Sequence, residues 1–200
     1  MKQELKTAIT KEKILDAAEK EFSENGYGAA RIDNISAISG INKKLIYSHF
    51  GSKEELYATV LDTVYSRLSE YENIISQRDF TGVESIRETI LQYFDFLAKN
   101  PSFVRLVLWE NLNGAKYADS VHIGIFAGAK ELLQKGIRAG AIRSDLDIEQ
   151  TVMSMNMFCF SAFSNANTIS KLLKKDLTAP DELTKRAEHI ADVLIKYIFN

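Results

Sequence analysis

Cysteine is almost absent: Cys159 is the only one among 200 residues, so no intrachain disulfide can form. It stands in an apolar stretch, where a buried and unreactive thiol is expected, and the lack of bridges is compatible with a reducing cytoplasm. Proline is equally scarce. Pro101 and Pro180 both stand at plausible helix starts, and strand-like alternation is rare, so the chain reads as all-α. Long apolar runs are missing too. The longest, around Met153 to Phe163, is interrupted by Ser154, Asn156 and Ser161, well short of the ~20 residues that cross a bilayer. The N-terminus is rich in lysine and glutamate and lacks an apolar core of signal-peptide length, so a soluble cytoplasmic protein with no membrane partner is expected. Several chemistries are missing as well. There is no glycine-rich phosphate loop, no nucleophile elbow and no Glu-x-x-His pair, and His122 and His189 are too far apart in sequence to suggest a metal site. No cofactor and no catalytic constellation is expected.

The net charge of −2 gives no bulk sign of nucleic-acid binding, but the local balance differs. Between residues 31 and 53, Arg31, Lys43, Lys44 and Lys53 oppose only Asp33, a sum of 4 − 1 = +3. The same stretch, Ile35-Ser-Ala-Ile-Ser-Gly40-Ile-Asn42-Lys-Lys-Leu-Ile-Tyr47-Ser-His49-Phe50, reads as two short helices joined by a tight turn. Ile35, Ile38, Ile41 and Ile46 supply an inward side, Gly40 the sharp turn, and Asn42 a cap for the second helix. Lys43, Lys44, Tyr47 and His49 are then expected to face outward. Ser52-Lys-Glu-Glu55 has capping-box spacing and opens another helix, whose first N–H groups and Lys53 make a ready anion site.

This helix-turn-helix, at about residues 31–50, resembles that of the TetR/AcrR family of one-component transcriptional regulators. The resemblance starts at Thr10-Lys-Glu-Lys-Ile-Leu-Asp-Ala-Ala-Glu-Lys-Glu-Phe22, passes Asn25-Gly26-Tyr27, and ends at Phe50-Gly-Ser-Lys-Glu-Glu-Leu56-Tyr57. Lys44, Leu45, Ser36 and Ser39 depart from the small residues the family often carries there. The resemblance implies a DNA-binding headpiece at 10–56 and an effector-binding and dimerisation body at 57–200. It further implies a homodimer on double-stranded operator DNA, repressing until a small molecule releases it. Tyr47, His49 and Lys53 match the positions that hold the DNA backbone, and Arg31 is a further phosphate candidate. Asn42, Lys43, Lys44 and Leu45 open the recognition helix, where side chains meet base edges.

About nine helices are expected. Thr10 caps the first, after a frayed arm at Met1 to Ile9, and Asn25-Gly26 ends it. The body then carries helices from about Ile86, Pro101, Val121, Asp147 and Thr178. The segment Phe103 to Leu112 is apolar nearly all round, so it should be deeply buried. Leu183, Ala187, Ile190, Leu194 and Tyr197 form one seam on the last helix, read as the homodimer surface. Met153, Met155 and Met157 cluster beside Phe158, Phe160 and Phe163, and soft methionines with flat rings suit an apolar guest. The expected effector lining is Phe103, Trp109, Tyr117, Phe126, Met153, Asn156, Met157 and Phe160. A helical enzyme or ligand carrier with an incidental helix-turn-helix is the alternative.

Overall fold

The computed structural model describes residues 2–117 and 126–199. They form ten helices and no strand: α1 (Lys2–Ala29), α2 (Ile32–Ser39), α3 (Lys43–Phe50), α4 (Lys53–Ser76), α5 (Val83–Lys99), α6 (Pro101–Leu112), α7 (Ala127–Arg138), α8 (Ile148–Ser164), α9 (Ala166–Leu173) and α10 (Pro180–Phe199). The tenth arises because the chain breaks at Asn165, which separates α9 from α8. The expected arm is helical from Lys2, and Thr10 is no cap: its hydroxyl donates to the Lys6 carbonyl at 2.8 Å inside α1. Both prolines are first residues of their helices, where a missing N–H costs nothing. His122 lies outside the described residues.

The chain gathers into two compact units. The headpiece holds α1–α3, the first part of α4 to Ser66, and the segment opening at Arg105. Its core is Ile14, Ala18, Phe22, Ile35, Ile46, Leu56 and Tyr57, each essentially buried. The body holds the chain from Arg67 to Val104 with α7–α10. There α10 packs against α5 and α8, and α8 against α5 and α7. Ile86, Ile90, Phe94 and Leu97 of α5 meet this core at helical spacing, and burying each such side chain stabilises by about 1.5–3 kcal/mol.

α6 departs from the expectation of uniform burial. Phe103, Val104 and Leu106 are buried, whereas Leu112 is 77% exposed and the buried residue near the helix end is Glu110. The carboxylate is accommodated because it has donors.

Candidate nucleic-acid interface and body cavity

The turn between α2 and α3 is built from short-range hydrogen bonds. Gly40 sits at φ 70°, ψ 14°, and its N–H donates to the Ser36 carbonyl at 3.0 Å. The Ser36 hydroxyl donates to the Ile41 carbonyl at 2.7 Å; that of Ser39 donates to the Ile35 carbonyl at 2.7 Å and accepts from the Ile41 N–H at 3.2 Å. Asn42 Oδ1 accepts from the Leu45 N–H at 2.9 Å and so caps α3. With Ile46 turned inward, Asn42, Lys43, Lys44, Leu45 and Tyr47 are exposed. His49 is half-buried, its ring edge-on to Phe50. Lys43 is ion-paired with Asp33, an exposed pair worth little, which leaves Lys44 as the α3 lysine without a hydrogen bond or ion pair among the described residues. Ile38, expected inside, is 49% exposed: the turn buries Ile35 and leaves Ile38 on the outer side of α2.

Two buried glutamates that sequence reasoning missed hold this unit. Glu21 of α1 is 4% exposed, and its Oε1 accepts from the Arg31 N–H at 2.8 Å and the Asn34 amide at 3.0 Å. It places negative charge at the N-terminus of α2 and satisfies an N–H the helix cannot. Glu110 is also 4% exposed; Oε1 accepts from the Tyr57 hydroxyl at 2.6 Å and Oε2 from the Tyr117 N–H at 3.1 Å. The Tyr117 hydroxyl and Lys116 Nζ both donate to Glu54 Oε1, at 2.9 and 3.0 Å. Ser52 Oγ accepts from the Glu55 N–H at 3.1 Å as the capping-box spacing required. Lys53 lies over the Tyr27 ring, 4.7 Å from its centre, and burial lowers its pKa while Glu21 pulls the other way. A glutamate inside an otherwise apolar helix was the available signal for Glu110. Nothing in the sequence pairs Glu21 with Arg31.

Trp109 and Tyr117, expected in the effector lining, therefore belong to the headpiece. The Trp109 Nε1–H donates to the Ser23 carbonyl at 3.2 Å, and the indole lies across Gly26, where an added Cβ would stand 2.8 Å from the ring.

The body has a small internal cavity between α4, α5, α7 and α8, of about 20 Å³, room for one water molecule. Of the eight expected lining residues, Phe126 and Asn156 border it. Phe103 is buried elsewhere, edge-on to Phe96, and Phe160 does not reach the cavity. Met153 and Met157 are 40% and 57% exposed, while Met155 and Cys159 line the cavity. The two pairs differ by two residues, about 200° around a helix, so they occupy opposite faces. Burial pushes the Cys159 thiol up to about 12, consistent with an inert group. The Tyr93 hydroxyl donates to Asn156 Oδ1 at 2.6 Å, and that of Tyr71 to the Thr89 carbonyl at 2.8 Å. Glu72, 5% exposed, accepts from the Gly128 and Ala129 N–H groups at 2.9 and 3.4 Å and so caps α7. Burial raises its pKa, opposed by these backbone donors and that of Phe126.

The comparisons with known proteins agree with this geometry. A family profile described as "Bacterial regulatory proteins, tetR family" matches residues 14–60, and one described as "Tetracyclin repressor-like, C-terminal domain" matches residues 82–194, more than half the chain. The chain belongs to the TetR family. Among relatives of this TetR-family regulator, the HTH-type transcriptional repressor NicS of Pseudomonas putida is 28% identical over 193 residues, 94% of this chain and 91% of the relative. The HTH-type transcriptional repressor SCO4008 of Streptomyces coelicolor is 37% identical over 103 residues, about half of each chain. Two solved structures share the fold. SCO4942 of Streptomyces coelicolor has a TM-score of 0.74 at 24% identity, covering 94% of this chain and 98% of that one. FadR of Bacillus subtilis, solved with stearoyl-CoA, has 0.70 at 20%, covering 93% and 98%. The chain is thus a DNA-binding transcriptional regulator, and among its described residues no helix is long and apolar enough to cross a membrane.

The seam expected to dimerise this TetR-family chain is largely internal. Ala187, Ile190 and Leu194 are 6%, 2% and 2% exposed because α10 turns them onto α5 and α8; Leu183 is half-buried. Tyr197 remains exposed, with the Arg143 guanidinium over its ring. On the last three helices the large apolar residues that face outward are Met153, Met157 and Phe158 of α8, Ile169, Leu172 and Leu173 of α9, and Val193 and Tyr197 of α10.

Proposed function

We propose that this protein is a homodimeric repressor that reads operator DNA through α3 and leaves it when a small effector binds the body. Residues 10–56 act as the DNA-binding part and 57–200 as the effector and dimerisation part. The observation that carries the reading is the capped, exposed start of α3, where Lys44 and Leu45 project free of the protein while Glu21 fixes α2 behind them. Lys44 donates to a guanine edge and Leu45 meets a thymine methyl, while Arg31, Tyr47, His49 and Lys53 hold phosphates. Relatives named as repressors support the sign of regulation. Selection of genomic fragments at physiological salt is expected to enrich one palindromic site. Lys44→Ala then changes preference at one base position by about 1–3 kcal/mol, whereas Tyr47→Phe weakens all sequences alike. Binding confined to very low salt without sequence preference would overturn the reading.

Dimerisation uses the outward face of α8 and α10, with Met153, Met157, Phe158, Val193 and Tyr197 at its centre. Two-fold symmetry presents two recognition helices to a palindrome, and an obligate interface of about 2,000 Å² or more is expected. Sedimentation of Met157→Glu is expected to show a folded monomer that has lost operator binding, while a wild-type monomer at micromolar concentration would refute the interface.

The effector enters the cavity beside Tyr93 and Asn156, which must widen from its one-water size. A ligand that prefers the widened body shifts the population towards it, and release follows if that form binds operator less well. α4 carries both ends of the event, opening at Lys53 and bordering the cavity with Tyr71, Glu72 and Ile75. A thermal-shift screen of metabolites, followed by operator release with each hit, tests this. A cavity ligand that stabilises the protein and leaves operator affinity unchanged would sink the switch.

A further inference from the structure

Lys53 opens α4 and is half-buried, yet it makes no hydrogen bond or ion pair among the described residues. The carboxylates that could neutralise it are committed elsewhere. Glu54 Oε1 accepts from Lys116 Nζ and the Tyr117 hydroxyl, and Glu55 folds back over Gly51, its Oε2 in the place an added Cβ would take. Glu21 attracts the ammonium through space, but its Oε1 serves the Arg31 N–H and the Asn34 amide. What Lys53 does touch is a ring: its Nζ lies 4.7 Å from the centre of Tyr27.

That ring is itself fixed. A straight helix would set Tyr27 about 140° away from Phe22, five residues earlier. The break at Gly26 (φ 68°, ψ 168°) instead stacks the two rings, their centres 6.5 Å apart and their planes 23° from parallel. Tyr57 and Tyr117 stand 5.2 and 6.0 Å from the Tyr27 ring and complete the cluster. A ring face attracts a cation through its quadrupole and takes none of its three N–H donors. A carboxylate would neutralise the charge and occupy a donor, as Asp33 does for Lys43. Held over Tyr27, the ammonium stays charged and available, and its side chain has lost rotamer freedom before any phosphate arrives.

We propose that Tyr27 is a positioning residue for operator binding, its ring holding the Lys53 ammonium at the N-terminus of α4 where a DNA phosphate docks. The inference rests on the phosphate role given to Lys53 above and adds the group that aims it. Affinity of the full chain for a duplex carrying the site enriched from genomic fragments is measured across a salt series. Lys53→Met should flatten the slope of log affinity against log salt by about 0.9 for each chain, the share of one phosphate. Tyr27→Phe keeps the ring face and should match wild type. Tyr27→Leu should flatten the slope in the same direction and weaken binding about two- to fivefold per chain, with base preference unchanged. Added to Lys53→Met, it should cost nothing more. A Tyr27→Leu loss that persists in the Lys53→Met background, or that comes with an unchanged slope, would assign Tyr27 to packing alone and overturn the proposal. An unchanged slope for Lys53→Met itself would remove Lys53 from the phosphates and take the role of Tyr27 with it. Where Tyr27→Leu fails to fold, the wild-type NMR spectrum decides. The Lys53 ε protons should be shifted upfield by the ring and remain so on the duplex; their return to ordinary shifts on binding would show that the ammonium leaves the ring, and would equally overturn the proposal.

Discussion

The DNA-reading turn of the headpiece is built of two short helices held at their ends, whereas the core of the body is built of long helices held along their sides. α2 and α3 have eight residues each, too few to persist alone in water. Their stability is concentrated in a few polar atoms: Glu21 on the Arg31 N–H, Asn42 on the Leu45 N–H, and the two serines of the turn. In the body, α5, α8 and α10 run for 17, 17 and 20 residues, and what matters is which face they turn inward. The headpiece should thus be sensitive to single caps and glycines, and the body to polarity on one stripe of each helix.

The largest expected effect tests the body's stripe. Leu194 is 2% exposed and its neighbour Val193 42% exposed. Leu194→Asp buries an unpaired carboxylate and should cost about 3–5 kcal/mol, enough to unfold much of the body. Val193→Asp should lower the denaturation midpoint much less, only through lost self-association, so that its loss varies with protein concentration. Equal midpoints for the two variants would erase the distinction between inner and outer faces.

Next come the headpiece glycines. Gly26 (φ 68°, ψ 168°) lies in a region open almost only to glycine and against the Trp109 ring; Gly40 (φ 70°, ψ 14°) has open space around its Cα. Gly26→Ala should cost about 2–4 kcal/mol, from backbone strain plus overpacking, against about 1 kcal/mol for Gly40→Ala. Chemical denaturation followed by Trp109 fluorescence measures both, and similar losses would show that the indole yields. Asn42→Ala should cost about 1 kcal/mol through the lost α3 cap, read by the same denaturation.

The smallest effect is a pH dependence in the body. Because the folded pKa of Glu72 is raised, the folded state holds this proton more tightly than the unfolded chain. The resulting stability is present at acid pH and fades as pH rises through the ordinary carboxyl range to the raised value. Glu72→Gln keeps a carbonyl acceptor for the Gly128 N–H and removes the titration. Its thermal midpoint relative to wild type should therefore climb with pH across that window, and a constant difference would show that the backbone donors cancel the burial.

The differing legibility of the two regions has the same origin. Gly40, Asn42, Ser52 and the capping positions act over three or four residues, so their meaning is written in adjacent letters. A seam such as Ala187–Ile190–Leu194 shows only that one side of a helix is apolar; whether it meets α5 of the same chain or another copy is not a local property. Met153 and Met155 have the same chemistry and lie on opposite faces of α8, one outside and one at the cavity.

Composition and short-range spacing by themselves determined an all-helical chain, a helix-turn-helix with its outward lysines, and the starts of α4, α6, α8 and α10. They act through backbone hydrogen bonds and turn geometry, which need only neighbouring residues. Tertiary structure alone decided that Trp109 and Tyr117 brace the headpiece, that Glu21, Glu72 and Glu110 can be buried, and that the α10 seam faces inward. Each of these depends on donors or apolar partners more than ten residues away, brought together only when the whole chain has paid the entropy of folding.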